Sequence, residues 1–258
     1  MAKSLKEMAR SGRLATGTFL VEFVTPGIGH ILGGAGCDFA FLDTEHSGFG
    51  IETAKAGIRF LEAGGIPALV RIPSRDAHDI ARVADIGAEG VMLPLVGSVE
   101  VAAAAVAALK YPPLGRRGVA LQIAHDNYRA GPAAPKLAAA NDRTTLVLMI
   151  ETAEGVEAAE AIAALPGVDA LWVGHFDLSA SLGIPGEFDH PAFRDATARI
   201  CAAARRHGKG LGRLVTGQAE AERAYADGFR LLAWGGDAWL LQAAVAAGVA
   251  TLRGFEGG

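Results

Sequence analysis

Four side chains of reactive type stand directly after short apolar runs, spaced as the ends of separate strands. The run Thr145-Leu146-Val147-Leu148-Met149-Ile150 ends in Glu151, and Leu171-Trp172-Val173-Gly174 leads through His175 and Phe176 to Asp177. Two carboxylates delivered by consecutive strands suit a hard divalent cation, which takes oxygen ligands and keeps room for water or substrate. Upstream, Phe41-Leu42-Asp43 runs into Thr44-Glu45-His46, which brings an imidazole able to move protons near neutral pH. Val70-Arg71 ends another run in a guanidinium, a group that binds carboxylates and stabilises developing oxyanions. Each residue also has a plainer reading. Glu151 suits the positive start of a helix beginning at Thr152, Arg71 suits a structural ion pair, and His46 suits an ordinary loop. Their convergence by strand position is what favours chemistry over any of these.

The elements needed to bring them together recur along the chain. Apolar runs suited to buried parallel strands lie at Ala15–Leu20, Phe39–Asp43, Ala68–Arg71, Val91–Pro94, Leu146–Glu151, Ala170–Val173, Gly210–Leu214 and Leu231–Trp234. Helical patterns fall between them at Ile51–Ala63, Ala77–Ile86, Val99–Leu109, Thr152–Ala164, Ala192–His207 and Gln218–Asp227. Gly64-Gly65, Gly87, Pro166-Gly167, Gly208 and Gly228 punctuate their ends. Eight β units alternating with helices predict an α/β protein, a single TIM (β/α)8 barrel over residues 1–258. In such barrels the active site lies at the C-terminal strand ends, where all four residues fall.

Composition narrows the class. A chain of 258 residues with net charge −4 argues for a soluble enzyme and against nucleic acid or an anionic membrane as partner. Cys37 and Cys201 form no metal or redox motif, so they read as buried free thiols in a reducing, cytoplasmic compartment. The N-terminus reads as a charged helix without the apolar core of a signal peptide, and Val101 to Leu109 is too short to span a bilayer. The Pro-, Gly- and Arg-rich stretch from Tyr111 to Arg143 reads as a partly ordered cover or subunit contact, with disorder as the alternative. Gly235-Gly236-Asp237 after the last strand fits an ordinary turn and, less well, a phosphate cradle.

In order along the chain, several short motifs accumulate. They are Gly33-Gly34-Ala35-Gly36-Cys37-Asp38 before Asp43-Thr44-Glu45-His46, then Val70-Arg71, then Asp85-Ile86-Gly87-Ala88-Glu89-Gly90 before Leu93-Pro94. Tyr111-Pro112-Pro113 with Arg116-Arg117-Gly118, Ile150-Glu151-Thr152, and Gly174 through Gly183 with Asp177-Leu178-Ser179 follow. Across nearly its whole length the chain resembles the HpcH/HpaI family of metal-dependent pyruvate aldolases, within the citrate-lyase β-like superfamily. The resemblance implies that Glu151 and Asp177 bind a divalent metal ion (Mg²⁺, Mn²⁺ or Co²⁺). It implies that His46 is the general base, that Arg71 stabilises an enolate, and that Asp85 raises the basicity of the histidine. It further implies cleavage of 4-hydroxy-2-oxo acids to pyruvate, or an analogue such as hydroxypyruvate, and an aldehyde. A homo-oligomer is implied as well, a hexamer arranged as a trimer of dimers with C-terminal helices exchanged. The apolar stretch Trp239–Leu252 fits that exchange or packing on its own barrel. No lysine ends a strand in this set, which favours a metal over an imine route.

Two departures bear on the substrate pocket, expected to be lined by Arg71, Met149, Gly174, His175, Phe176 and Asp177. The family commonly places Gln where Met149 stands, and Pro followed by a small residue where His175-Phe176 stands. An amide donor is thereby lost and a ring gained beside the metal acid. His175 reads as a packed residue supporting the site or as a further donor. Two other functions remain open: a CoA-ester lyase of the citryl or malyl type, and a non-catalytic barrel that binds oxo acids through a metal.

Overall fold

The computed structural model describes residues 4–256, and its core is a closed barrel of eight parallel strands in sequence order. The strands are β1 (Ala15–Leu20), β2 (Phe39–Asp43), β3 (Ala68–Arg71), β4 (Gly90–Leu93), β5 (Thr145–Ile150), β6 (Ala170–Val173), β7 (Gly210–Val215) and β8 (Leu231–Gly236). Pairing of β1 with β8 closes the ring. The helices are α1 (Leu5–Arg10), α2 (Ile28–Gly34), α3 (Ile51–Ala63), α4 (Ala77–Asp85), α5 (Val99–Leu109), α6 (Ala133–Arg143), α7 (Ala153–Ala164), α8 (His175–Ser181), α9 (Pro191–Arg206), α10 (Gln218–Asp227) and α11 (Asp237–Arg253). No helix among the described residues is long and apolar enough to cross a membrane.

The strands read as unbroken apolar runs because both of their faces are covered. One set of side chains, including Phe19, Phe41, Met92, Met149 and Trp172, fills the barrel, while Leu42, Val70, Leu148 and Val173 pack outward under the helices. The rings of Phe41 and Trp172 meet edge to face at 5.4 Å. Gly212 is tied to this filling, since a Cβ there would run into the Trp172 indole. From below, α1 inserts Leu5, Met8 and Ala9 and shuts the N-terminal end of the barrel.

The connection between α5 and β5 departs from its reading as a cover or a disordered stretch. It is ordered, holds α6, and lies at the base of the barrel, away from the strand C-termini. The reason is direction: α5 delivers the chain to the base, and the segment stays there. Lys110, at the end of α5, donates from Nζ to the carbonyls of Asn141 (3.0 Å) and Thr144 (2.5 Å). The Asn141 side chain exchanges hydrogen bonds with the Tyr111 backbone at 2.8 and 3.1 Å. Burial pushes the Lys110 ammonium down to about 7, and these carbonyl acceptors are what it has in exchange for water. Cys201 is a buried free thiol as expected, whereas Cys37 is only half-buried.

α11 meets its own barrel at its start, where the Trp239 ring stacks on Phe19 at 6.0 Å, and the rest of the helix gains little cover from it. None of its residues is buried, and Leu241, Val245 and Leu252 are 52%, 55% and 63% exposed.

Candidate active site

At the C-terminal mouth, strand register puts an acid beside a base. Asp43 and Arg71 are paired across β2 and β3, so neighbouring strand ends present both side chains together. Arg71 donates to Asp43 from Nε (2.7 Å) and Nη2 (2.9 Å), a two-pronged pairing in which Asp43 is fully buried. The same Asp43 carboxylate accepts the backbone N–H groups of Glu45 and His46, each at 3.0 Å. One acid thus fixes both the guanidinium and the turn that carries His46. Phe19 and Phe41 lie 5.4 and 5.5 Å from the guanidinium carbon, and Nη1 points toward the Met149 sulfur at 3.9 Å. Burial disfavours the Arg71 charge, but the bonds and charges of Asp43, then Glu45 and Glu151, outweigh it and hold its pKa above the ordinary value.

Glu45 and His46 follow. The Glu45 carboxylate lies 3.1 Å from Arg71 Nε and 3.9 Å from His46 Nε2. Burial raises the Glu45 pKa, with Asp43 and Asp177 adding to the rise while Arg71 and His46 oppose it. The His46 side chain is 66% exposed, open to whatever enters the mouth.

Glu151 follows β5 and is 3% exposed. The alternative that it caps the next helix does not hold: Thr152 does so, its hydroxyl accepting from Gly155 N–H at 3.0 Å. Glu151 Oε1 instead accepts from the backbone N–H of Leu95 at 2.6 Å. Leu95 turns that N–H inward from φ 52°, a left-handed conformation that costs a leucine roughly 1–2 kcal/mol. On the other side, a Cβ at Gly174 would collide with the Glu151 carboxylate, so only glycine leaves that group its place. Burial pushes the Glu151 pKa up to about 7; Asp177 and Glu45 add to the rise, while Leu95 N–H and Arg71 oppose it.

Asp177 sits in the first turn of α8 and is exposed. On the same helix His175 is buried, its ring 4.6 Å from Phe176 and 5.0 Å from Phe188. Burial, then the nearby Arg213 charge, pushes the His175 pKa down to about 4, so this imidazole is neutral at physiological pH. Phe176 is 63% exposed beside Asp177.

The structure therefore brings His46, Arg71, Met149, Glu151, Gly174 and Asp177 to one mouth. It does not bring Asp85 there within one chain. Asp85 ends α4, which at nine residues carries the chain about 13 Å back toward the base at the usual helical rise. Its carboxylate accepts from Arg117 Nη2 at 2.5 Å. Asp43, Glu45 and Leu95 are the contributors that strand-end reasoning passed over. The signal for Asp43 was available, an acid ending one strand beside an arginine ending the next. Nothing in the sequence announces the Leu95 N–H. At Asp237 the phosphate-cradle option meets a carboxylate: Asp237 itself accepts from the backbone N–H groups of Val21, Glu22 and Phe23 at 3.1, 3.1 and 2.7 Å.

A (β/α)8 barrel that gathers Glu151, Asp177, Glu45, Arg71 and His46 at the C-terminal ends of its strands has the make-up of an enzyme active site. The chain belongs to the HpcH/HpaI aldolase/citrate lyase family, whose model matches residues 19–244, and it is an enzyme of the carbon–carbon lyase class. It is 36% identical over 232 residues to the hydroxypyruvate/pyruvate aldolase of Chromohalobacter salexigens, covering 90% of this chain and 91% of that one. It is 36% identical over 214 residues to the 5-keto-4-deoxy-D-glucarate aldolase of Klebsiella pneumoniae, covering 83% of each. The crystal structure of an HpcH/HpaI aldolase from Desulfitobacterium hafniense superposes with a TM-score of 0.91 at 35% identity, covering 98% of this chain and 97% of that one.

Proposed function

We propose that this chain is a divalent-cation-dependent aldolase that cleaves, or forms, 4-hydroxy-2-oxo acids from pyruvate or hydroxypyruvate and an aldehyde. The observation that carries this reading is the acid cluster of Glu151, Asp177 and Glu45 facing a guanidinium already committed to Asp43. Glu151 is buried among like charges, a situation that a hard cation relieves. Among the described residues no three His, Cys, Asp or Glu side chains gather closely enough to cage a metal. Two protein carboxylates, Glu151 and Asp177, suit an ion such as Mg²⁺, Mn²⁺ or Co²⁺ that leaves most of its shell to substrate and water. When bound, such a cation supplies Lewis acidity to a chelating 2-oxo acid.

The chain's own residues do the rest. His46 takes the proton of the 4-hydroxyl, the C3–C4 bond breaks, and an aldehyde leaves. The bonding pair becomes the enolate, whose oxygen Arg71 Nη1 is free to stabilise because Nε and Nη2 are held by Asp43. A proton returned to C3 completes pyruvate. Met149 walls the pocket with apolar surface and Gly174 leaves Glu151 its place, whereas His175 and Phe176, expected to line the pocket, face a cavity outside the barrel with Phe188.

Treatment with EDTA is expected to abolish pyruvate release from a panel of 4-hydroxy-2-oxo acids, and Mg²⁺, Mn²⁺ or Co²⁺ to restore it. Full activity after chelation, or trapping of substrate on the protein by borohydride, overturns the reading.

Asp85 enters this scheme only through a second copy of the chain, since within one chain it lies toward the base with Arg117. The bare apolar helix α11 supports such an assembly, in line with a cytoplasmic hexamer. If Asp85 of one protomer tunes His46 of another, His46→Ala and Asp85→Asn homo-oligomers are each impaired. Unfolding and refolding them together then restores activity through hybrid sites that carry both native residues. Recovery no greater than the mean of the two parents removes Asp85 from the mechanism.

A further inference from the structure

A cavity of about 840 Å³ lies outside the barrel, between α8, α9 and α10, with Arg213 of β7 at its inner end. Its walls include Phe176, Phe188, Phe193, Ala198 and Ala226, and its lining holds four arginines against three carboxylates, a surplus of one positive charge. Apolar walls around a few convergent polar groups, at this volume, are the usual make-up of a small-molecule site.

Two polar groups at the inner end are unusually placed. Arg213 is 7% exposed and Thr197 is 6% exposed. Arg213 donates from Nη2 to Glu220 Oε1 at 2.5 Å and from Nε to the Leu214 carbonyl at 3.3 Å, which leaves Nη1 for the cavity. The Thr197 hydroxyl has no hydrogen-bond partner at all. A helical threonine ordinarily satisfies itself on the carbonyl one turn back, and leaving a buried hydroxyl bare is costly. Cys201 beside them contributes no negative charge, because burial pushes its thiol up to about 12. The inner end therefore offers two donors, with the Arg213 charge balanced by Glu220; the surplus positive charge comes from Arg194, Arg205 and Arg223 against Asp189 and Asp227, and the walls offer aromatic faces.

We propose that this cavity is a second binding site, separate from the barrel mouth, for a small organic carboxylate with an apolar body. The carboxylate lies on Arg213 and Thr197, and the body lies among Phe176, Phe188 and Phe193. The inference does not rest on the aldolase reading. It does place a ligand against α8, the helix that carries His175 on this side and Asp177 on the other.

Benzoate is the probe, titrated calorimetrically into the full-length protein saturated with Mg²⁺ and oxalate so that the mouth is blocked. Binding of one benzoate per chain is expected. Thr197→Val weakens it about tenfold, the worth of a hydrogen bond to a charged group. The same variant leaves the melting temperature unchanged or raised, because it replaces a bare buried hydroxyl with a methyl. Ala198→Trp, on the exposed face of α9, fills the cavity and abolishes binding without touching the mouth. The proposal fails if the wild type takes up no benzoate at millimolar concentration, or if oxalate with Mg²⁺ displaces it. It also fails if neither variant changes the affinity.

Discussion

Glu151→Gln is expected to abolish divalent-cation binding and, in the metal-free protein, to raise the melting temperature at pH 8. The two effects have one origin. Glu151 is buried, and its pKa is lifted from 4.5 to about 7, so the folded protein holds this proton more tightly than the unfolded chain does. For a raised pKa the stabilisation is complete below about pH 4.5 and is lost as the pH climbs through 7. At pH 8 the metal-free wild type therefore carries a desolvated carboxylate at a cost of the order of 3 kcal/mol. Glutamine keeps an oxygen for the Leu95 N–H and removes the charge. Its melting temperature is several degrees higher at pH 8, at roughly 2–4 °C per kcal/mol for a domain of this size. Its stability no longer declines between pH 4.5 and 7. Adding Mn²⁺ reverses the ranking, because a cation pairs with the wild-type carboxylate and finds no charge in the variant. Thermal melts across pH, with and without Mn²⁺, read all of this without an activity assay. A variant that binds Mn²⁺ as tightly as the wild type, or keeps the wild-type pH slope, removes Glu151 from the metal site.

The barrel was legible because each strand is short, apolar and bounded by turn residues, which is what burial on both faces demands. Glu151, Arg71 and His46 were legible for the same reason, since a charged residue that ends a buried run has to lie at a strand end. What stayed hidden depends on contacts between elements distant in sequence. Asp43 was within reach as an acid ending the strand before the one Arg71 ends, but its two-pronged hold on that arginine shows only once β2 and β3 are placed in register. The Glu151 cradle needs a leucine at positive φ, which no residue type signals. Glycines at 27, 29, 33 and 34 concealed α2, yet Gly29 is required where the helix crosses the backbone of Phe60. The α5–β5 connection reads as a cover from composition, and only the direction of α5 shows that it belongs to the base. Asp85 shows where local reading stops: it lies one helix after Arg71 in sequence and toward the opposite end of the barrel in space.

His46→Ala and Arg71→Lys divide the mouth into a proton-transfer part and a charge-stabilising part, and both are expected to leave metal binding intact. His46 is largely exposed and holds its place through its backbone N–H on Asp43, which alanine retains. Removing the ring therefore spares the fold and the oxalate affinity, and lowers turnover by about 10² to 10⁴, the usual worth of general acid–base catalysis. Pyruvate methyl-proton exchange falls with it. Arg71→Lys keeps the positive charge and still loses about 10² to 10³ in turnover, on the order reported for one donor to a developing oxyanion. The guanidinium gives two nitrogens to Asp43 and points the third toward the Met149 sulfur, where the proposed enolate oxygen would meet it. An ammonium has no such fork, so pairing with Asp43 draws it away from the enolate oxygen. Because that charge develops only as the carbon–carbon bond breaks, the loss falls on kcat more than on KM. The measurement compares Mn²⁺ and oxalate binding with retro-aldol rate and proton exchange in both variants. Wild-type turnover in both excludes them from catalysis. Tight oxalate binding by the wild type, with neither cleavage nor exchange on any 2-oxo acid, leaves a barrel that binds oxo acids through a metal and does nothing further to them.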